Sequence, residues 1–298
     1  MGLFRLFGNK DAARGKSAPA REIAGGTIEG TAGKIAALFK ERTAVESIRL
    51  KPAREACAPW DSKLGGAPYL PGGFDYPRDR QEGREGVPLR FLAQLNFSEM
   101  PALAGFPERG ILQFYTGNDE QHGMDYETLT AQKGFRVVYH EEVTGVSLPP
   151  PPPGAGDEMA VASPVDGELR LRFAVETSVM GPGDFRFDAL LLQFYNEVTG
   201  SRFRSLDRVP ERLLDDLYER LSASGHRVGG YPTFTQLDPR EYHDYLREHT
   251  VLLLQLDSET TGDYSIAWRN AGSCHFFIRP DDLAAREFFE VLYSWDCY

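Results

Sequence analysis

The side chains best suited to chemistry in this sequence are a few cysteines, histidines and acids that stand close together along the chain. Cys274 and His275 are adjacent, as if they were the thiol and imidazole of a cysteine nucleophile. Neighbouring residues of a strand point to opposite faces, so the two groups cannot meet if this segment is a strand. We therefore interpret Cys274 as a buried thiol.

The segment 117–127 gathers oxygen ligands around a glycine. On the EF-hand template Asn118 takes the first position, but the twelfth is Leu129, where calcium requires a bidentate Glu. The sequence therefore favours a solvated hairpin loop and predicts neither a metal nor a cofactor. Four polar residues remain candidates for a ligand-binding or hydrolytic cleft: Asp119, His122, Asp125 and Asp257.

Two glycine-proline segments offer a binding surface instead of a catalytic group. They span residues 62–73 and 226–232, and each holds a Gly-Gly pair followed by proline. Glycine allows backbone conformations that other residues resist, so these segments form either the rim of a cleft or a turn that crosses a sheet. The candidate protein-binding residues are Trp60, Lys63, Gly65, Gly66, Tyr69, Phe74 and Tyr231.

The chain around these segments repeats itself. Each half holds a Gly-Gly-x-Pro turn, a Gln-Leu-Asn or Gln-Leu-Asp sequence, and a glycine-led apolar run. The three matches begin at residues 64 and 228, 94 and 255, and 110 and 272. Three matches in the same order at nearly equal offsets indicate a duplication.

Hydrophobic patterns predict an α+β fold, with a mixed, largely antiparallel β-sheet core and flanking helices, built from two sequence-related halves. The apolar runs 89–96 and 250–257 predict central strands covered on both faces. Further strands are predicted at 110–115, 135–140, 169–175, 189–195 and 274–278. Helices are predicted at 33–41, 210–222, 239–248, where Asp238 is the N-cap, and 281–293.

A run of five prolines at 149–153 nearly bisects the chain. Proline neither continues a helix nor pairs in a central strand, so this run predicts a stiff connector. The predicted organisation is a flexible basic N-terminal arm at 1–30, a first half at 31–148, a polyproline linker at 149–156 and a second half at 157–298.

Charge is unevenly distributed along the chain. The total is −11, but residues 1–21 hold five basic side chains and one acid, so the rest of the chain carries −15. An acidic body repels phosphate backbones, which argues against a nucleic-acid partner. The three cysteines lie far apart without metal-binding spacing, and no apolar run is long enough for a transmembrane segment. We expect a cytoplasmic protein.

Several segments, in order, resemble the YwqG-like family of bacterial domains of unknown function. They are residues 62–71, 88–96, 110–115, 229–232, 253–257 and 268–278. The resemblance spans roughly residues 45–295 and implies an α+β fold with internal repetition and no established activity, catalytic residue or cofactor. It also implies, by association only, a link to polymorphic-toxin systems, with an immunity protein as the expected role.

Two functions are compatible with these patterns. The first is a non-enzymatic protein-binding module, such as an immunity-type protein whose acidic surface masks a basic toxin domain. The alternative is a small-ligand-binding protein or hydrolase with a cleft between the two halves. The first is favoured because the sequence brings together no acid, base and nucleophile.

Overall fold

The fold was obtained as a computed structural model that describes residues 22–23, 26–149 and 161–298. The predicted polyproline linker and basic arm lie largely outside the described residues. Five helices and fourteen strands occur in the described part. Among its helices, none combines the length and the apolar character that a membrane crossing requires.

The elements alternate irregularly along the chain. The strands are β1 (Glu22–Ile23), β2 (Gly26–Thr27), β3 (Val45–Ala53), β4 (Lys63–Gly65), β5 (Arg90–Asn96), β6 (Ile111–Thr116), β7 (Phe135–His140), β8 (Glu168–Ser178), β9 (Arg227–Gly229), β10 (Val251–Asp257), β11 (Glu259–Thr260), β12 (Ser265–Ile266), β13 (Ser273–Ile278) and β14 (Leu292–Asp296). The helices are α1 (Ile28–Thr43), α2 (Phe187–Thr199), α3 (Glu211–Leu221), α4 (Pro239–Tyr242) and α5 (Pro280–Ala285), with 3₁₀ turns at Leu206–Arg208 and Asp244–Leu246.

Ten strands form one continuous antiparallel sheet in the order β14-β13-β10-β9-β3-β8-β4-β5-β6-β7. We call β8-β4-β5-β6-β7 the first half-sheet and β3-β9-β10-β13-β14 the second half-sheet. The long pair β3 and β8 joins them at the centre. β3 precedes the rest of its half-sheet by more than a hundred residues, so the two half-sheets interleave along the chain.

The sheet folds over so that its two ends pack face to face. Phe114 of β6 lies with its ring centroid 4.9 Å from that of Phe276 of β13, and Phe135 of β7 lies 4.9 Å from Tyr293 of β14. These rings belong to one large hydrophobic core that contains residues of both half-sheets. Burial on this scale makes apolar packing the main stabilising contribution to the fold.

Helices α1, α2 and α3 form a separate layer with its own core. Phe39 of α1 stacks on Phe187 at a centroid distance of 4.9 Å and meets Phe194 edge to face at 4.8 Å. Tyr231, which follows β9, attaches this layer to the sheet because its hydroxyl donates to Thr43 O at 2.8 Å. The α+β class is therefore confirmed.

Most of the predicted strands are confirmed, and so is the cap before α4. β5 and β10 lie inside the sheet with almost every residue buried. The Asp238 carboxylate accepts a hydrogen bond from Arg240 N at 2.9 Å, as expected of an N-cap. The helix that follows is shorter than predicted, because a 3₁₀ turn replaces its second half.

The strand predicted at 189–195 is wrong, because this segment lies within α2. Its buried residues are Phe187, Leu191, Phe194 and Tyr195, and this spacing of three to four residues places them on one helical face. The short apolar run alone did not distinguish a strand from a helix. The missed signal is Gly200, which ends α2 in the left-handed conformation at φ 70°.

The helix predicted at 281–293 is wrong in its second half. α5 ends at Ala285 because Arg286 takes a left-handed φ of 62°. The chain then forms β14, whose Tyr293 and Trp295 pair with Phe276 and Cys274 of β13. Sheet pairing has overridden the helical pattern here.

Candidate functional site

Both Gly-Gly turns carry the chain from a short strand onto the outer face of the sheet. Gly65 and Gly66 have φ of 61° and 70°, and Gly229 and Gly230 both have φ of 70°. A Cβ atom on Gly65 would overlap the carbonyl oxygen of Gly167. The turns therefore need glycine for both backbone conformation and space.

The two turns are anchored by matching hydrogen bonds. In the first half-sheet Tyr69 N donates to Gln94 Oε1 at 2.9 Å, and Gln113 Nε2 donates to Tyr69 O at 2.7 Å. In the second half-sheet Thr233 N donates to Gln255 Oε1 at 2.9 Å, and the His275 ring donates through Nε2 to Thr233 O at 2.9 Å. The strand pairs Gln94–Gln113 and Gln255–His275 have the same register.

A pair of basic side chains lies beside each turn at matching positions. Lys63 is paired in register with Gln94 and Arg170 in the first half-sheet. Arg227 is paired with Gln255 and Arg49 in the second. Lys63 is 2% exposed and Arg227 4% exposed. Such burial is costly for a cation unless an opposite charge compensates it.

In the first half-sheet the basic pair is neutralised by the protein itself. Lys63 Nζ lies 3.1 Å from Glu168 Oε2. Arg170 makes ion pairs with Asp61 and Glu99, the second at 2.7 Å. Two cations thus contact three carboxylates.

In the second half-sheet the basic pair is poorly compensated. Arg227 donates three hydrogen bonds, all to backbone carbonyl oxygens, at Gly225 (3.3 Å), Tyr231 (3.3 Å) and Ser224 (2.8 Å). Arg49 also donates to Ser224 O, at 2.5 Å, so the two guanidinium groups are neighbours. Among the described residues, Arg49 has one carboxylate partner, Glu176 at 3.0 Å, and Arg227 has no hydrogen-bonded carboxylate.

The different surroundings of Lys63 and Arg227 follow from one position in the sheet. Glu168 stands opposite Gly65, whereas Ser47 stands opposite Gly229. A carboxylate therefore lies next to Lys63, and a short hydroxyl occupies the corresponding place near Arg227. Arg227 therefore has no hydrogen-bonded carboxylate at the place where Lys63 has Glu168.

The electrostatics of Arg227 reflect this arrangement. Burial lowers the pKa of its guanidinium below the ordinary value, and the neighbouring Arg49 cation lowers it further. Asp257 and Glu176 act in the opposite direction. The Asp257 carboxylate, however, accepts hydrogen bonds from Gly225 N at 2.5 Å and Gln255 Nε2 at 2.8 Å, and Glu176 accepts from Arg49 Nε at 3.0 Å. An additional anion near Arg227 and Arg49 would relieve their repulsion.

Arg49 and Arg227 line a cleft of about 350 Å³ between the sheet and the helical layer, which we call the basic cleft. Lys40 in the last turn of α1 and Arg220 in the last turn of α3 line its opposite wall. The lining thus holds four basic side chains and one acid, Glu176. In a chain of net charge −11, this is a local concentration of positive charge suited to an anion.

A protein-family model, Domain of unknown function (DUF1963), matches residues 62–297. The chain belongs to this family. Among curated proteins, no match to the chain is found. The DUF1963 match contains both half-sheets except for β3, and it contains both Gly-Gly turns.

Most candidate residues in or next to the first glycine-proline segment, residues 62–73, have structural partners in this DUF1963 protein. Tyr69 is fully buried, and its hydroxyl lies 3.1 Å from Thr144 Oγ1. Phe74 meets the ring of His140 edge to face at 4.8 Å, and Trp60 O accepts from Asn96 Nδ2 at 3.0 Å. Together with Lys63, Gly65 and Gly66, they hold the segment against the first half-sheet, away from the basic cleft.

The candidate acids and histidine of segment 117–127 form a separate cluster in the DUF1963 fold. Asp119 Oδ1 accepts from Gln121 N at 2.8 Å and Gly123 N at 3.0 Å, which fixes the loop. His122 is buried edge to face between Trp268 and Trp295, and burial lowers its pKa to about 4. Asp125 pairs with Lys133 at 3.3 Å. Across the described ranges, no group of three or more His, Cys, Asp or Glu is placed to hold a metal ion.

Two of the candidates, Tyr231 and Asp257, do lie near Arg227. Tyr231 O accepts from Arg227, and its ring lies 5.7 Å from the guanidinium carbon of Arg186. Asp257 is close enough to affect the pKa of Arg227. These two candidates are therefore next to the basic cleft.

The four basic residues of the cleft were missed in the sequence. Arg227 stands directly before the second Gly-Gly-x-Pro match, as Lys63 stands one residue before the first. Extending the repeat by one residue would have paired the two cations. Lys40, Arg49 and Arg220 come from three other elements, and no sequence pattern joins them.

The adjacent Cys274 and His275 behave as expected from a strand. Both are fully buried in β13 of the DUF1963 domain. Burial raises the pKa of Cys274 well above its ordinary value and lowers the pKa of His275 to about 3. A thiol and an imidazole in these states do not form a reactive thiolate–imidazolium pair.

Proposed function

We propose that this protein binds a small anionic ligand in the basic cleft and acts as a binding protein rather than an enzyme. The observation that carries the proposal is the buried Arg227, which hydrogen-bonds only to carbonyl oxygens, whereas Lys63 at the corresponding position has Glu168. A ligand carboxylate or phosphate would supply the missing counter-charge. Arginine forks suit both groups.

The proposal includes a duplication of the two halves and a YwqG-like relationship within the family. Matching registers, matching glutamine hydrogen bonds and matching basic residues support the duplication. On this view Glu168 neutralises the basic pair in one copy, and the basic pair of the other copy is left to bind an anion. The three free cysteines are in keeping with the cytoplasm as the place where the protein works.

Inorganic phosphate is expected to raise the melting temperature of the protein by about 5 °C at concentrations near 100 times its dissociation constant. Arg227→Gln should remove most of this shift, because the buried guanidinium would be lost. The measurement is a melting curve at constant ionic strength with phosphate, sulfate and citrate.

Arg109→Gln is the matched control, since Arg109 is an exposed arginine paired with Glu141 outside the cleft. It should keep the full shift. Arg49→Gln provides a second cleft variant, because Arg49 is partly exposed and its replacement leaves no fully buried gap. The proposal fails if none of the three anions stabilises the wild type, or if both cleft variants respond as the wild type does.

The protein-binding, immunity-type role is a second candidate. It is favoured by large aromatic side chains that stay exposed, among them Phe289 at 81%, Tyr126 at 66% and Tyr298 at 58%. Exposed aromatics on an acidic protein fit a basic protein partner. Salt-sensitive binding to such a domain would support this role, and salt-independent or absent binding would count against it.

A further inference from the structure

We propose that the ligand of the basic cleft carries two anionic groups, one held by Arg227 and Arg49 and the other by Lys40 and Arg220. This inference rests on the proposed anion-binding function and names the chemical class of the ligand. This class comprises compact bis-anions, such as a bisphosphate or a small molecule with one phosphate and one carboxylate.

The first argument is the position of the cations on two walls. Arg49 and Arg227 belong to neighbouring strands and meet at Ser224 O. Lys40 and Arg220 belong to the ends of two helices on the other side of the same cleft. An anionic group bound at the sheet wall leaves the helix wall free for a second one.

The second argument is the charge of the lining. Glu176 is the one acid among the described lining residues, and Arg49 Nε already donates to both of its carboxylate oxygens at 3.0 Å. Arg220 pairs with the partly exposed Asp216 at 2.7 Å, whereas Lys40 has no ion pair with the described residues. Because Glu176 and Asp216 each pair with one of the four cations, two positive charges have no ion pair within the described part of the chain; a monoanion would compensate one of them and a bis-anion both.

The third argument is the size and chemistry of the lining. The cleft of about 350 Å³ holds hydroxyl groups from Ser47, Thr177, Ser178 and Ser222, and no aromatic ring is among its described lining residues. Ser178 Oγ accepts from Tyr231 N, so its own proton is available to a phosphate or carboxylate oxygen. Ser222 Oγ, by contrast, already donates to Tyr218 O. A nucleobase would lack a ring on which to stack, so the lining fits a compact polyanion better than a nucleotide.

The test compares orthophosphate with pyrophosphate by titration calorimetry at constant ionic strength. The wild type is expected to bind pyrophosphate at least about tenfold more tightly, since each added charge-assisted contact contributes roughly that factor. The double variant Lys40→Gln/Arg220→Gln should lose most of this preference, with a larger loss for pyrophosphate than for orthophosphate. Both positions are solvent-exposed, so the variant should fold.

The outcomes separate the inference from the function on which it rests. Orthophosphate binding that depends on Arg227 and Arg49, with no pyrophosphate preference or an unchanged preference in the double variant, overturns the bis-anion inference alone. Absence of binding by either probe overturns the anion-binding function as well. Arg109→Gln should keep the wild-type affinities for both probes.

Discussion

Replacing Arg240 by leucine is expected to lower the free energy of unfolding by about 3–5 kcal/mol, because it leaves the buried Asp238 carboxylate without its ion-pair partner. Arg240 is fully buried and donates to Asp238 Oδ2 at 2.7 Å, and Asp184 Oδ2 lies 3.7 Å away. Its guanidinium carbon also lies 4.1 Å from the ring centroid of Phe277. Urea unfolding at neutral pH measures the loss.

Arg247→Leu is the matched control for this substitution. Arg247 pairs with Asp244 on the surface, with 51% of its side chain exposed, and exposed ion pairs contribute about 0–1 kcal/mol. A loss of similar size in both variants would contradict the idea that the buried network stabilises the junction between α4, the segment before α2 and β13.

The second large effect is the loss of stability in acid, and His275→Gln is expected to reduce it. Burial lowers the pKa of His275 to about 3, and the cations of Arg240 and Arg227 contribute in the same direction. The unfolded chain takes up a proton near pH 6.5 while the folded chain does not, so stability falls as the pH falls from there toward the folded-state pKa. Between about pH 7 and pH 5 this residue alone lowers the free energy of unfolding by about 2 kcal/mol.

Glutamine is the informative replacement because it occupies the corresponding position in the first half-sheet. Gln113 Nε2 donates to Tyr69 O as His275 Nε2 donates to Thr233 O. The variant should therefore keep this hydrogen bond. Its free energy of unfolding should fall by about 2 kcal/mol less than that of the wild type between about pH 7 and pH 5. Urea unfolding across this range measures the difference.

Other buried groups set the background of that experiment. Burial lowers the pKa of His122 and of His140 to about 4 and also lowers the pKa of His249, so these residues destabilise the fold in acid in the same way. Burial raises the pKa of Asp296 to about 6, so its contribution to stability has the opposite sign: it is present in acid and is lost as the pH rises through about 6.

His243, which is exposed, provides the control. A His243→Gln variant that reduces the loss of stability in acid as much as His275→Gln would contradict the assignment of that loss to His275.

The strands were predictable because their apolar residues either alternate with polar ones or form continuous runs, and turn residues bound each segment. β5 and β10 lie where their apolar runs predict, and Asp238 caps α4 as its sequence predicts. The segment at 189–195 was not predictable from its apolar run alone; its helical state agrees with Gly200 as the C-cap and with the packing of Phe194 on Phe39 of α1. Tertiary contacts decided the outcome.

The basic cleft was less predictable than the fold. Arg227 could have been found by extending the repeat, but its significance depends on Ser47 standing where Glu168 stands in the first half-sheet. That relationship requires the pairing of β3 with β9 and of β8 with β4. Net charge was misleading, because an acidic chain of −11 can still concentrate four cations around one cleft.

The most direct measurement of anion binding is a crystal structure of the protein soaked in tungstate, located by its anomalous signal. We expect a tungstate ion in the basic cleft within hydrogen-bonding distance of the Arg227 and Arg49 guanidinium groups, and no ion beside Lys63, where Glu168 already provides the counter-charge. Tungstate bound elsewhere with an empty basic cleft, or bound equally beside Lys63, would contradict the proposed site.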